Sequence, residues 1–213
     1  MEPFETYEVG GMTVELHYDP DPWSPAEWDQ MAEMVAGPRL ARHYTLTKLT
    51  TDGTEDEAIE RGGARLLTRY LRLVEGAEVV PFRFDDYGAN GARLYTLDDD
   101  DHPSGFFRVT REKLIEEYGD DSEESRAKAR RVIESEAKSW DSYLQGEVYA
   151  FVVKNQDGEH VESLWGIYDD TPGLEYLRSE ATSAAEWEDR DRLINQEPTD
   201  IAEVLYAMKE GSL

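Results

Sequence analysis

The chain has 213 residues, 39% hydrophobic and 11% aromatic, which is enough apolar material for a folded core and disfavours wholesale disorder. It contains no cysteine, which excludes disulfides, thiolate metal sites and cysteine nucleophiles. Its 48 acidic and 22 basic residues give a formal net charge of −26, which disfavours direct binding to nucleic acid because phosphate contacts need a basic surface.

The first predicted elements form a β-hairpin. A strand over 4–9 leads into Gly10-Gly11, a two-residue turn that tolerates positive φ. Apolar and polar residues then alternate over 12–18 with the period of two that is typical of a half-buried strand. The proline-rich loop 19–22 ends this hairpin, because proline interrupts both strand pairing and helix.

A helix is predicted to begin at Pro25. Ser24 and Glu27 match a capping box around this proline, which suits the first helical position. Apolar residues follow at helical spacing as far as Val35, and Gly37 is the expected end of the helix.

A second helix is predicted from a capping box at Thr54 to about residue 75, after a candidate short strand within 39–53. Four arginines lie three or four residues apart on one face of this helix: Arg61, Arg65, Arg69 and Arg72. In so acidic a chain they could bind an acidic partner surface or a twin subunit. Alternatively, they pair with acidic residues of the same helix.

The middle of the chain combines strands with helices. The predicted strands are 79–84, 93–97 and 105–109. Thr110 caps a short helix that ends near residue 118. Asp121 or Ser122 begins the longest helix, which runs to about Leu144, and Gly146 is its expected C-cap.

The clearest hairpin pairs residues 148–154 with residues 160–168 across a turn of Asn155-Gln156-Asp157-Gly158. Helical regions follow from Thr171-Pro172 and from Pro198. Strands and helices in mixed order, with hairpins at both ends, predict one α+β domain over 1–213. We expect an antiparallel or mixed sheet that is built from hairpins and flanked by several helices.

Three tryptophans receive specific predictions. Trp140 and Trp165 lie in apolar patterns and are predicted to be core residues. Trp23 lies in the proline-rich loop, where it is either an exposed anchor for a partner or a hydrophobic staple onto the next helix.

The acidity has competing interpretations. A carboxylate-covered surface stays hydrated in a salt-rich cytoplasm, whereas ordered carboxylates can imitate the phosphates of DNA. Residues 1–36 hold nine acidic residues and no base, residues 37–75 hold six and seven, and residues 76–213 hold 33 and 15. This spread favours a halophilic surface over a mimic, and ordinary acidic solubility is a third interpretation.

No apolar stretch approaches the roughly 18 to 20 residues that span a bilayer, so no membrane association is expected. The first eleven residues carry three glutamates and lack the basic and apolar regions of a secretory signal. We therefore expect a cytoplasmic protein, located in the host cytoplasm if a virus encodes it.

Four sequence motifs occur in order over about residues 12–170 and are considered as one set. They are YDPDPWSPAEWD (18–29), SGFFRVTREKLIEEYG (104–119), YLQGEVY (143–149) and SLWGIY (163–168). Together they resemble an uncharacterised family of acidic proteins encoded by phages, plasmids and integrated mobile elements. The chain departs from that family near residues 34–38 and 98–101, where cysteines are expected. The resemblance implies a mobile-element origin and an accessory role in host takeover or anti-defence, and it implies no catalytic residue.

Candidate metal ligands are few. His17 and Asp19 share one strand face and could present an imidazole and a carboxylate to a divalent cation, or they form the solvent side of an edge strand. The run Asp98–Asp101 and the pair Asp85-Asp86 lack the ligand spacing of a calcium loop and are expected to be solvated. No nucleophile elbow, phosphate loop or dinucleotide fingerprint is present, so no catalytic residue, metal site or cofactor is predicted.

The predicted function is that of a non-enzymatic acidic accessory protein of a virus or mobile element, which acts by binding a host protein. Anti-defence action, DNA mimicry and a halophilic host are versions of this hypothesis. The predicted partner-binding residues are Trp23, Arg61, Arg65, Arg69 and Arg72. The alternative is an enzyme that uses carboxylates and a divalent metal on an unknown substrate. The sequence leaves the oligomeric state open.

Overall fold

The computed structural model describes residues 2–36, 68–69, 71–87, 92–97 and 103–195. The chain divides into a terminal unit, residues 1–19 with 148–213, and a central unit, residues 20–147. Each unit contains a four-stranded antiparallel sheet, and the predicted α+β class is confirmed. The prediction of one domain over 1–213 stays a prediction.

The elements with described bounds run through both units. The strands are β1 (Glu5–Val9), β2 (Met12–Tyr18), β3 (Glu33–Ala36), β4 (Glu78–Asp86), β5 (Ala92–Thr96), β6 (Gly105–Val109), β7 (Tyr149–Lys154) and β8 (His160–Ile167). The α-helices are α1 (Arg111–Tyr118), α2 (Glu123–Gln145) and α3 (Glu175–Asn195). Shorter turns are the 3₁₀ segments Pro25–Glu27 and Pro172–Leu174 and the π-helical segment Leu71–Glu75. Within the described ranges, no helix is long and apolar enough to cross a membrane.

The terminal unit carries its strands in the order β1-β2-β7-β8. Both predicted hairpins are confirmed, and each turn has a glycine at positive φ, +58° at Gly10 and +78° at Gly158. Helix α3 covers one face of the sheet with buried residues spaced four apart, Leu177, Ala181 and Ala185. They pack with the buried strand residues Met12, Val14, Leu16, Phe151 and Val153.

Asp169 fixes the start of α3. Its carboxylate accepts hydrogen bonds from the backbone N–H of Leu177 at 2.8 Å and from the N–H and hydroxyl of Thr171 at 2.8 and 2.5 Å. Burial alone would raise the pKa of Asp169, but these donors stabilise the carboxylate and the pKa lies below its ordinary value. The predicted helical start at Thr171-Pro172 therefore depends on the preceding aspartate.

The central unit carries its strands in the order β3-β6-β4-β5. The long helix α2 covers this sheet, and its buried Ile133, Ala137 and Trp140 share one core cluster with Phe82 and Phe107. Its predicted caps are confirmed. The N-cap Ser122 accepts the N–H of Ser125 at 3.3 Å, and Gly146 ends the helix at φ +70°. Thr110 caps α1 as predicted.

The predicted helix from Pro25 to Val35 is wrong. Ser24 does accept the N–H of Ala26 at 3.3 Å, but only one 3₁₀ turn follows before the chain becomes strand β3. Pairing of Met34 and Val35 with β6 replaces the helix, because it buries both neighbouring side chains, one on each strand face.

The turn into β3 is held by the carboxylate of Glu136 on α2. It accepts the backbone N–H groups of Met31 at 2.7 Å and Ala32 at 3.1 Å. Burial raises the pKa of Glu136 above its ordinary value, although the two hydrogen bonds oppose this shift. The residues in this contact are more than 100 positions apart, so a helix pattern within residues 24–37 cannot predict it.

The predicted strands 79–84, 93–97 and 105–109 are confirmed as β4, β5 and β6. Glu124 and Lys128, one turn apart on α2, form an ion pair with 2.8 Å between Oε1 and Nζ. Several predictions lie outside the described residues. These are the strand within 39–53, most of the helix from Thr54, the run Asp98–Asp101 and the helix from Pro198.

Candidate functional site

The predicted partner-binding residues differ in their exposure to solvent. Trp23 is 75% exposed in its loop, as predicted for an anchor. Arg69 is exposed, whereas Arg72 is half-buried and its Nε donates to the carbonyl oxygen of Val79 at 3.1 Å. Arg61 and Arg65 lie outside the described residues. Arg72 therefore serves the fold through a backbone carbonyl, which neither interpretation of the arginine stripe foresaw.

The prediction that Trp140 and Trp165 are both core residues is half right. Trp140 is 1% exposed in the central unit, but Trp165 is 44% exposed on β8 of the terminal unit. A period-two pattern would place Trp165 on one face of a regular strand. The reason for the error is that β8 is not regular at this point.

A bulge in β8 sets the position of Trp165. The pairing of β8 with β7 changes register between Tyr149 and Phe151, and Gly166 has φ +75°. The N–H of Gly166 donates to Oδ2 of Asp19 at 2.9 Å, which holds the bulge from the end of β2. The glycine after the tryptophan is the one sequence signal that could have identified this irregularity.

The Trp165 ring lies against a buried histidine. The His17 ring is stacked on it with centroids 6.3 Å apart and planes inclined by 26°. His17 is only 4% exposed, and its Nε2 lies 3.2 Å from Oε2 of Glu15. Nδ1 is buried and has no hydrogen-bond partner among the residues that the structure describes.

Glu15 is itself fixed by a lysine. Nζ of Lys154 donates to Oε1 of Glu15 at 2.6 Å. This hydrogen bond is the main reason that the pKa of Glu15 lies below its ordinary value; burial opposes the shift and His17 adds to it. Lys154, Glu15 and His17 thus form a connected row, and the His17 ring at one end of it is stacked on Trp165. We call these residues, with Asp19 and Gly166, the Trp165 site.

A second aromatic group lies at the same end of this sheet. The rings of Phe4, Tyr18 and Tyr149 have centroids 5.0 to 6.0 Å apart. Phe4 is 39% and Tyr18 52% exposed. Tyr18 follows His17 directly, so the two side chains leave β2 on opposite faces. Aromatic side chains are therefore exposed on both faces at this end of the terminal sheet.

The metal hypothesis gains no ligands here. Asp19 accepts from Gly166, and His17 is turned towards Glu15. No group of three or more His, Asp or Glu side chains in the described ranges could hold a metal ion. Asp85 accepts a hydrogen bond from the Tyr95 hydroxyl at 2.8 Å, as a residue of the strand pair β4–β5.

Comparison with known proteins adds no relative: no family model, no curated protein and no solved structure matches this chain. The resemblance to a mobile-element family stays a prediction.

Proposed function

We propose that this chain is a non-enzymatic binding protein of a virus or mobile element, which acts through protein–protein contact in the host cytoplasm. The observation that carries the proposal is the exposure of four of the five tryptophans. Their exposed fractions are 75% at Trp23, 37% at Trp28, 44% at Trp165 and 68% at Trp187. Tryptophan is enriched in protein interfaces and is often among the residues that contribute most of the binding energy. An indole that stays exposed to water does not gain the free energy of apolar burial, which contact with a partner would supply.

The charge supports the same proposal. A chain with net charge −26 repels nucleic acid and attracts basic protein surfaces. DNA mimicry and anti-defence action are versions of this proposal that rest on the acidity and on the family resemblance. A halophilic host is supported by the scarcity of lysine, since only 6 of the 22 basic residues are Lys.

The test is affinity capture from a host lysate, followed by titration of any captured protein. Wild type is compared with Trp23→Ala, Trp165→Ala and Trp187→Ala, and Tyr176→Ala serves as the control because Tyr176 is another exposed aromatic on α3. We expect at least one tryptophan variant to weaken binding by at least about 30-fold, the equivalent of an interface hot spot of about 2 kcal/mol. Failure to capture any protein, together with metal-dependent turnover of a substrate, would overturn the proposal.

A second titration separates the two routes of binding. An electrostatic contact weakens steeply when KCl rises from 0.1 to 1 M, because the screening length falls from about 10 to about 3 Å. An aromatic anchor is much less sensitive to salt. Loss of binding in 1 M KCl with no effect of the tryptophan variants would favour charge mimicry over aromatic anchoring.

A further inference from the structure

We propose that the outer edge of β1 binds an extended, basic segment of the partner protein, which adds a fifth strand to the terminal sheet. This inference rests on the proposed function and names the surface and the partner chemistry. β1 lies at the edge of its sheet, beside β2. The hairpin turn has two residues, so Val9 and Met12 form a hydrogen-bonded pair, and the backbone groups of Thr6 and Glu8 point away from β2. Thr6 and Glu8 are exposed, and an extended peptide can pair with their backbone groups whatever its sequence.

Two other edge strands are protected against such an addition. The pairing of β8 with β7 changes register twice, and an irregular edge disfavours a further strand. On β5, the backbone N–H of Leu94 donates to Oδ1 of Asp141 on α2 at 2.7 Å, so a side chain already occupies this donor. β1 keeps one register with β2 over all of its five described residues, and these include no lysine or proline. β1 therefore offers a regular edge for pairing.

The edge is held in place before a partner binds. Nη2 of Arg178 on α3 donates to Oε2 of Glu5 at 2.6 Å, and the Tyr7 hydroxyl donates to the carbonyl oxygen of Arg178 at 3.4 Å. The Thr13 hydroxyl donates to Oε1 of Glu8 at 2.9 Å. Because these contacts fix β1 to its neighbours, addition of a strand orders little beyond the incoming segment.

A cavity beside the end of β1 can receive one side chain of the added strand. It has a volume of about 420 Å³ and is lined by Val9, Gly10, Glu186, Asp189 and Arg190. No residue of the fully described β2 lines it, so it lies towards the outer side of β1. Its one cation, Arg190, lies over the Trp187 ring at 6.0 Å from the centroid, and Glu186 is exposed. A lysine or arginine side chain fits this pair of carboxylates.

The charge of the surroundings selects the same kind of segment. Residues 1–36, which include β1, hold nine acidic residues and no base. The terminal unit holds 20 acidic and 5 basic residues, a net charge of −15. A second copy of the chain would bring the same negative charge to the edge, whereas a basic strand reduces the repulsion. We therefore assign the edge to a basic segment of another protein.

The inference is tested by NMR hydrogen exchange on the full chain with the probe acetyl-Lys-Val-Lys-Val-Lys-Val-Lys-amide. A control probe has glutamate in place of each lysine. At saturating lysine probe, the amides of Thr6 and Glu8 should exchange at least about ten-fold more slowly, because they become hydrogen-bonded. The glutamate probe should bind at least about five-fold more weakly.

Variants locate the binding. Thr6→Pro removes a donor that β2 does not use and should abolish binding of the lysine probe. Glu186→Lys should weaken binding at least about five-fold, whereas Glu162→Lys on β8, with the same change in net charge, should leave it within about two-fold. Circular dichroism checks the fold of each variant.

Unchanged exchange at Thr6 and Glu8, or equal binding of both probes, would overturn the inference. Protection of these amides that grows with protein concentration in the absence of probe would overturn it as well, because a second copy would then occupy the edge. Capture of a host protein by wild type and Thr6→Pro alike would refute edge binding and leave the proposed function standing. Failure of both the probe and the capture would refute both.

Discussion

In each unit a long helix packs on a four-stranded sheet, but the tryptophan of that helix is buried in the central unit and exposed in the terminal unit. In the central unit, α2 presents Ile133 and Trp140 to the sheet, and the indole is 1% exposed. In the terminal unit, α3 presents Ala181 and Ala185, and Trp187 on the same helix is 68% exposed. Small residues leave no room for an indole between helix and sheet. Trp187 lies on another face of α3, where it stays exposed.

The units also differ in charge. The terminal unit holds 20 acidic and 5 basic residues, whereas the longer central unit holds 28 and 17. The central unit uses part of its basic residues in ion pairs, as when the exposed Arg130 approaches the buried Glu78, which is 4% exposed, to 2.6 Å. The terminal unit therefore has the higher density of negative charge, whereas the exposed tryptophans are divided between the units, Trp23 and Trp28 in the central unit and Trp165 and Trp187 in the terminal unit.

The largest expected difference between the units concerns their tryptophans. Trp140→Ala should lower the free energy of unfolding by about 3 to 5 kcal/mol, because it empties a buried aromatic site. Trp165→Ala should cost less than about 1 kcal/mol, because the indole is 44% exposed. Denaturation by urea measures both. A loss above about 2 kcal/mol for Trp165→Ala would show that Trp165 belongs to the core.

Two glycines give the next difference. A Cβ at Gly105 would lie 2.3 Å from the carbonyl oxygen of Val35 and 2.6 Å from the Phe82 ring, so Gly105→Ala should cost about 2 to 3 kcal/mol by pushing β3 from β6. A Cβ at Gly10 would meet Oδ2 of Asp189 at 2.4 Å, but this side chain can move. Gly10→Ala should therefore cost about 1 kcal/mol, mainly from φ +58°. Equal losses of unfolding free energy would contradict the difference between backbone and side-chain obstacles.

Two carboxylates, the buried Asp169 of the terminal unit and the half-buried Glu136 of the central unit, should change the stability with pH in opposite directions. The lowered pKa of Asp169 stabilises the fold above its ordinary value of 3.8, and this stabilisation is lost as the pH falls through the folded-state pKa. Asp169→Asn should cost about 1 kcal/mol at pH 6, and the difference from wild type should shrink below about pH 4.

The raised pKa of Glu136 has the reverse effect, because the folded state takes up the proton more readily than the unfolded state. Its contribution to stability therefore rises as the pH falls from neutral towards the ordinary value of 4.5. Glu136→Gln should remove this slope, which is worth up to about 1 kcal/mol. Unfolding free energies at pH 4.5 to 7 are the measurement, and an unchanged slope in the variant would contradict the assignment.

The smallest expected effect is that of salt on the two units. Molar KCl screens like charges, so protection of amides from hydrogen exchange should increase, and by more in β2 and β7 than in β4 and β6. The gain should stay below about 1 kcal/mol, because exposed charges interact weakly. Potassium chloride must be compared with potassium sulfate, since kosmotropic anions stabilise any fold. A larger gain in the central unit would mean that charge density does not limit the terminal unit.

Local chemistry determined much of this fold from the sequence. The turn glycines Gly10 and Gly158, the N-caps Thr110 and Ser122 and the C-cap Gly146 all act on backbone groups within a few residues, so their patterns predicted element ends correctly. Only the tertiary structure decided the rest. Ser24 caps a single turn because Glu136 and β6, both distant in sequence, hold the following residues as a strand. Trp165 is exposed on an irregular stretch of β8 that Asp19 holds through the N–H of Gly166, across 147 residues. Such contacts form only after the chain has folded, and no period or cap within one segment encodes them.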